Sequence, residues 1–148
     1  MSRKRPKISG AVRAKLEEAR VARLATLHAK RGPHVVPVCF TYDGKCFYTA
    51  IDQKPKRVAP ERLARLRNIR AVPRVALLID KYDEDWTQLW YILIRGNAKL
   101  IPKSAHKERA WAIRKLRAKY PQYAGRMLAD DAPIIRITPE RATFWGKI

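Results

Sequence analysis

Two runs rich in β-branched and aromatic residues, Val35 to Tyr42 and Cys46 to Ile51, stand on either side of Asp43-Gly44. That dipeptide tolerates the positive φ that two-residue turns demand, so the segment predicts an antiparallel hairpin. In the register of a two-residue turn, Tyr42 faces Lys45, Thr41 faces Cys46 and Cys39 faces Tyr48. Cys39 and Cys46 then share a face diagonally, about 7–8 Å apart, which is too far for easy bridging, so free thiols are expected. Pro37 has no amide hydrogen to give and implies an edge strand or a bulge.

Other strands are expected at Val21 to Leu27, Val75 to Asp80, Leu89 to Ile101 with Gly96 as a bulge, Ile134 to Thr138 and Ala142 to Trp145. Arg31-Gly32-Pro33 reads as a turn. Helical spacing marks three segments. Ser9 caps the first, with Val12, Leu16 and Ala19 on its apolar side. Pro60 opens the second, which buries Leu63, Leu66 and Ile69 and ends at Val72-Pro73. The third spans Ser104 to Tyr120 and buries Ala110, Ile113, Leu116 and Tyr120. Strands joined by hairpins and helices, without βαβ alternation, predict a mainly β, α+β fold: an antiparallel six-stranded split barrel with peripheral helices. Residues 1–8 read as a flexible basic arm and 9–148 as one domain.

With 33 Lys and Arg against 13 Asp and Glu, the formal net charge is +20. Such an excess attracts polyanions in general: nucleic acid, acidic membrane surfaces, phosphorylated or polycarboxylate ligands. The cations fall in three places, residues 3–31, 54–74 and 103–119, and equally fit a generally basic surface. No apolar run approaches the roughly 20 residues of a membrane-spanning helix. The basic start, Met1 to Lys7, is not followed by the apolar core of a signal peptide. A soluble, cytoplasmic protein is expected, with no membrane partner.

Chemistry concentrates in Phe47-Tyr48-Thr49-Ala50-Ile51-Asp52-Gln53-Lys54-Pro55-Lys56-Arg57. A strand delivers Tyr48 and Thr49, and a loop then places Lys54, Lys56 and Arg57 just before a helix start, whose free amides also favour anions. Three donors beside a helix N-terminus make a phosphate site; the same residues equally make a solvated basic loop. His28, His34 and His106 lack evident partners and read as structural or solvated. Asp83-Glu84-Asp85 reads as an exposed turn, and Trp86, Trp90, Trp111 and Trp145 as core or interface anchors. No cysteine or histidine spacing points to a metal site. No Ser-His-Asp or Cys-His arrangement is legible.

The order strand-hairpin-strand, Tyr-Thr, basic loop, a helix ending in Pro-Arg-Val, then an apolar strand resembles the pyridoxamine 5′-phosphate oxidase-like flavin-binding split barrels. More closely, the chain resembles their subfamily of coenzyme F420-dependent oxidoreductases. Pro33-His34-Val35-Val36-Pro37-Val38, Asp52 with Lys54-Pro55-Lys56-Arg57, Asn68-Ile69-Arg70, and Tyr82-Asp83-Glu84-Asp85-Trp86 with Leu89-Trp90 carry that resemblance. It runs from about Ala22 to Gly96, and more weakly to Trp145.

The resemblance implies that Val36, Pro37 and Val38 run beside the tricyclic ring of F420 or FMN. It implies that Tyr48 and Thr49 meet the ribityl chain and phosphate. Lys54, Lys56 and Arg57 would hold the phosphate, and Trp90 or Tyr91 would lie near the ring or the partner subunit. A homodimer with the cofactor at its interface is likewise implied, with hydride transfer to a small-molecule substrate carried by the cofactor. Two features depart from relatives: Val72 stands where Asn is usual, and the sequence to Ile148 carries no Arg-x-His motif for pyridoxamine phosphate. The alternatives are a flavin or haem carrier without turnover, and a basic nucleic-acid-binding module. For the last, only non-specific, salt-sensitive binding is expected. A deazaflavin tail would call on Arg62, Arg65, Arg67 and Arg70, which also fit the solvated face of a helix.

Overall fold

The computed structural model describes residues 4–52 and 63–148. Seven antiparallel strands form one curved sheet in the order β2-β1-β5-β6-β7-β4-β3. They are β1 (Ala22–His28), β2 (Gly32–Val38), β3 (Thr41–Tyr42), β4 (Phe47–Ala50), β5 (Arg74–Lys81), β6 (Trp90–Leu100) and β7 (Ile134–Gly146). Among the described residues three α-helices accompany them: α1 (Gly10–Glu18), α2 (Ala64–Ala71) and α3 (His106–Lys119). The architecture is the expected split barrel. Its strand count is seven rather than six because Cys39 and Phe40 separate β2 from β3.

Local chemistry explains most boundaries. Ser9 Oγ accepts from Val12 N at 3.3 Å and starts α1, whose Val12 and Leu16 are buried. Gly32, at φ +80°, lets the chain turn from β1 into β2. Pro37 sits on β2, a terminal strand of the sheet, where a missing amide hydrogen is tolerated.

The hairpin forms, with its turn one residue further along. Thr41 pairs with Tyr48 and Tyr42 with Phe47, so Gly44-Lys45 is the turn pair instead of Asp43-Gly44. Asp43 selects this register: its Oδ1 accepts from Lys45 N at 2.7 Å and Cys46 N at 2.6 Å, and Gly44 takes φ +94°. Cys39 therefore lies before β3 rather than opposite Tyr48, and both thiols are free.

Two further expectations shift. The strands expected at 134–138 and 142–145 are one continuous β7, paired with β6 over nearly its whole length. The irregularity foreseen at Gly96 lies mainly on the facing strand: Arg95 pairs with Arg141 and Gly96 with Pro139, leaving Glu140 as the extra residue. On α3 the buried set is Arg109, Ala112, Ile113 and Leu116, while Ala110 is exposed. Arg109 turns inward because its guanidinium donates to Ala132 O at 2.8 Å.

The core has two parts. Inside the barrel, Leu24, Phe40, Phe47, Leu77, Ile92 and Ile94 pack with Leu66 and Ile69 of α2 and Val12 and Leu16 of α1. Under α3, Tyr48, Ile113, Leu116, Tyr120, Tyr123 and Ile134 form a second cluster. Tyr120 links the second cluster to the β2–β3 connection: its hydroxyl accepts from Phe40 N at 3.1 Å and donates to Arg20 O at 3.0 Å. Burial raises its pKa to about 12.

Candidate functional site

Strand alternation divides the large sheet into an inner and an outer face. Leu24, Leu77, Ile92 and Ile94 point into the barrel. The intervening residues therefore point outward. Cross-strand register joins Val35–Ala25–Ala76–Arg95–Arg141 into one row and Pro37–Arg23–Leu78–Leu93–Thr143 into the next. Half-buried or exposed apolar side chains dominate this face, with Val35 59% and Trp145 52% exposed. The three helices bury their apolar sides in the two cores, so none of these residues is sealed by a described helix.

A cavity of about 720 Å³ opens on this surface. Ala25, Leu27 and Ala76 give it an apolar floor, and Arg74, Arg95 and Arg141 contribute guanidinium groups. Gly96 lines it where β6 and β7 approach closely. A Cβ there would stand 2.1 Å from Thr138 O.

The expected cofactor residues separate between the faces. Pro37 and Tyr91 lie outward, and Tyr91 stacks on Trp145 with ring centroids 5.7 Å apart. Val38 and Trp90 belong to the barrel core, with Val36 packed against it. Tyr48 lies in the cluster under α3, its ring 5.5 Å from that of Trp111 and its hydroxyl donating to Asp43 Oδ2 at 3.4 Å. Burial, with Asp43 and Glu108 nearby, pushes the Tyr48 pKa up. Thr49 is buried on the neighbouring position of β4, paired with Ile135. Lys54, Lys56 and Arg57 lie outside the described residues, as does Arg62.

Ile51 N donates to Pro133 O at 2.9 Å, and Asp52 accepts from Tyr123 OH at 2.5 Å in a buried pair. Burial and Asp52 together push the Tyr123 pKa up. Arg65 sits half-buried in the first turn of α2, and its buried Nε has no hydrogen-bond partner among the described residues. Burial lowers its pKa, and the charge of Asp52 opposes that shift. Arg67 and Arg70, further along α2, are exposed. Behind the first turn, Asn68 Nδ2 donates to Thr26 Oγ1 at 2.9 Å and ties α2 to β1.

Two further candidates make local hydrogen bonds, and Trp86, expected in the core or an interface, is exposed. His28 Nδ1 accepts from Lys30 N and Arg31 N at 3.1 and 3.0 Å, closing the β1–β2 turn. Asp85 caps a short turn by accepting from Thr87 Oγ1 at 2.7 Å and Thr87 N at 3.0 Å, and these bonds, the side-chain one foremost, lower its pKa. Sequence reasoning missed the outward apolar face and its arginines. The signal was present in Val75-Ala76-Leu77-Leu78-Ile79, an unbroken apolar run that implies cover on both sides of a strand.

The family model described as pyridoxamine 5′-phosphate oxidase matches residues 8–146. No curated protein matches the sequence. Among solved structures, a candidate pyridoxamine 5′-phosphate oxidase from Listeria innocua is 25% identical, with TM-score 0.65 over 93% of this chain and 97% of that one. An F420 reductase is 22% identical, with TM-score 0.64 over 92% and 98%. HutZ, the haem storage protein of Vibrio cholerae, is 14% identical, with TM-score 0.72 over 96% of each chain. The last two show likeness of fold alone. With the model matched along nearly the whole sequence and the seven-stranded split barrel formed, this chain belongs to the pyridoxamine 5′-phosphate oxidase family.

Proposed function

We propose that the protein is an oxidoreductase that holds coenzyme F420 or FMN and reduces or oxidises a small molecule by hydride transfer. The observation that carries the reading is Arg65: a half-buried side chain at the start of α2 whose buried Nε has no partner among the described residues, near Asp52, which precedes Lys54, Lys56 and Arg57 in the sequence. An unsatisfied buried donor is costly, and an anionic group at this point would relieve it. The donor set fits a phosphate, and the apolar outer face fits a flat ring system.

In this reading Lys54, Lys56 and Arg57 grip the phosphate with charge-assisted bonds. Thr49 and Tyr48 bring β4 to that loop, and the backbone of Val36, Pro37 and Val38 on the terminal strand β2 supports the ring. Tyr91, stacked on Trp145, bounds the ring or the partner subunit, and Trp90 holds β6 in the core behind it. When bound, the cofactor supplies the hydride chemistry; the chain binds, orients and excludes water. The protein works as a homodimer through the outer sheet face, which buries Val35, Leu78, Leu93 and Trp145 and covers the cofactor. The F420 reductase of the same fold supports the deazaflavin.

Fluorescence titration with F420 and with FMN, at low and high salt, tests this reading. Tighter F420 binding is expected, with the gap shrinking as salt screens the tail. In a folded Lys54→Ala/Lys56→Ala variant, binding should weaken by about 3–6 kcal/mol at most, from charge-assisted bonds of about 1.5–3 kcal/mol each. Tighter FMN binding at both salt concentrations would replace the deazaflavin by FMN. Unchanged affinity in the double variant would remove the loop from the site. Binding of haem, with neither flavin bound, would support the storage reading represented by HutZ.

A further inference from the structure

Three rows of residues cross β5, β6 and β7 on the outer face: Ala76–Arg95–Arg141, then Leu78–Leu93–Thr143, then Asp80–Tyr91–Trp145. In the first row Arg95 and Arg141 are direct cross-strand partners, an arrangement in which like charges destabilise a sheet. Among the described residues neither pairs with a carboxylate, whereas Arg23 on the same face pairs with Asp80 at 2.7 Å. In the third row Tyr91 and Trp145 stack, their rings inclined by 18°, and Trp145 is half exposed. Past that row the β5–β6 turn carries exposed Tyr82 and Trp86 beside Asp83, Glu84 and Asp85, three of the chain's 13 acids. Past the arginine row, at the start of β5, stands exposed Arg74. The face is therefore cationic at one end, aromatic and acidic at the other, and apolar between.

Two copies laid face to face by a two-fold axis can be aligned in two ways. An axis along the strands sets the arginine row of each copy on the arginine row of the other, which adds repulsion to a pair already opposed. An axis across the strands, at the Leu78–Leu93–Thr143 row, reverses the ends. The arginine row and the aromatic row each lie two residues, about 7 Å, from that middle row. The Tyr91–Trp145 stack of one copy then lies over Arg95 and Arg141 of the other. Guanidinium planes stack on aromatic faces, and the acidic turn comes level with the Arg74 end. Aligned sheets cross at only about 30°, so the overlap survives their twist. We propose that two copies of this chain pair in the second arrangement, the aromatic stack of each covering the arginine pair of the other. This rests on the homodimer proposed above and names the contacts that fix its orientation: the unpaired arginines are met by a second copy of the chain.

Sedimentation equilibrium of the full chain, without cofactor, measures the dissociation constant of the dimer. Trp145→Ala and Arg95→Gln/Arg141→Gln should each raise it about tenfold, since symmetry doubles the loss of each cation–π contact. The triple variant should lose little more than either, because both changes remove the same contact. Oxidised Arg141→Cys/Trp145→Cys should form a bridge from position 141 of one copy to position 145 of the other. Within one chain these positions lie about 13 Å apart along β7, too far to bridge. Each single cysteine variant should give no bridge between like positions. The cysteine arm decides the orientation even where a truncated variant fails to fold. A monomeric wild type would overturn the homodimer and this arrangement with it. A dimer left unchanged by both truncations, or joined by a 145–145 bridge, would overturn the arrangement alone. So would loss of F420 and FMN binding in Trp145→Ala with the dimer unchanged, which would give the stack to the cofactor.

Discussion

Replacing Gly96 by alanine should be one of the most damaging small changes available to this fold. Gly96 does not have positive φ, so the cost is not conformational; it is contact. The added Cβ would lie 2.1 Å from Thr138 O, 2.9 Å from Thr138 C and 3.1 Å from Pro139 Cα, all backbone atoms that cannot swing aside. A carbon–oxygen contact settles near 3.3–3.6 Å, so β6 and β7 must part by roughly 1 Å or more. Overpacking of this kind costs about 1–3 kcal/mol. Losing one or two ladder bonds beside the Glu140 bulge adds about 0.5–1.5 kcal/mol each. The expected destabilisation is therefore about 1.5–6 kcal/mol, a large share of the stability of a small domain. Urea denaturation with an unchanged slope measures it. Gly10→Ala, where nothing lies within 4 Å, is the control and should stay within about 1 kcal/mol of the wild type. A loss below about 1 kcal/mol for Gly96→Ala would refute the close-approach argument.

Two further outcomes follow from buried polar groups. Lys119 donates to Leu16 O at 3.1 Å, and burial lowers its pKa from 10.5 to about 8. The unfolded chain then holds one more proton between those values, so stability should rise from about pH 8 to 10, before the tyrosines titrate. Lys119→Met should flatten that rise, and an identical slope in the variant would dismiss Lys119 as its source. For the Asn68–Thr26 bond, Thr26→Val should cost about 1–3 kcal/mol by leaving a buried amide unpaired. A double-mutant cycle with Asn68→Ala should show coupling of about 0.5–3 kcal/mol, and additive losses would mean that the bond contributes nothing.

Much of the fold was legible because its signals are local. Ser9 capping, Gly32 and the alternation along residues 90–100 each act within a few residues of chain, so composition and spacing reveal them. Even the turn register depended on one nearby group, the Asp43 carboxylate, which moved the turn to Gly44-Lys45. The basic segment 54–57 was equally plain, since three cations in four residues need no structure to be noticed.

What the sequence could not decide was which side of the sheet each residue would meet. Tyr48 and Thr49 are adjacent in the chain, yet one enters the cluster under α3 while the other faces its opposite side. Arg95 and Arg141 are 46 positions apart and become opposed only when β6 and β7 pair in the observed register. A shift of one residue, such as the Glu140 bulge introduces, sends every later side chain to the other face. Local patterning therefore determined the strands, the turns and the basic segment. Long-range register, set by pairing and close backbone approach at Gly96, decided the outer apolar face and the arginines gathered on it.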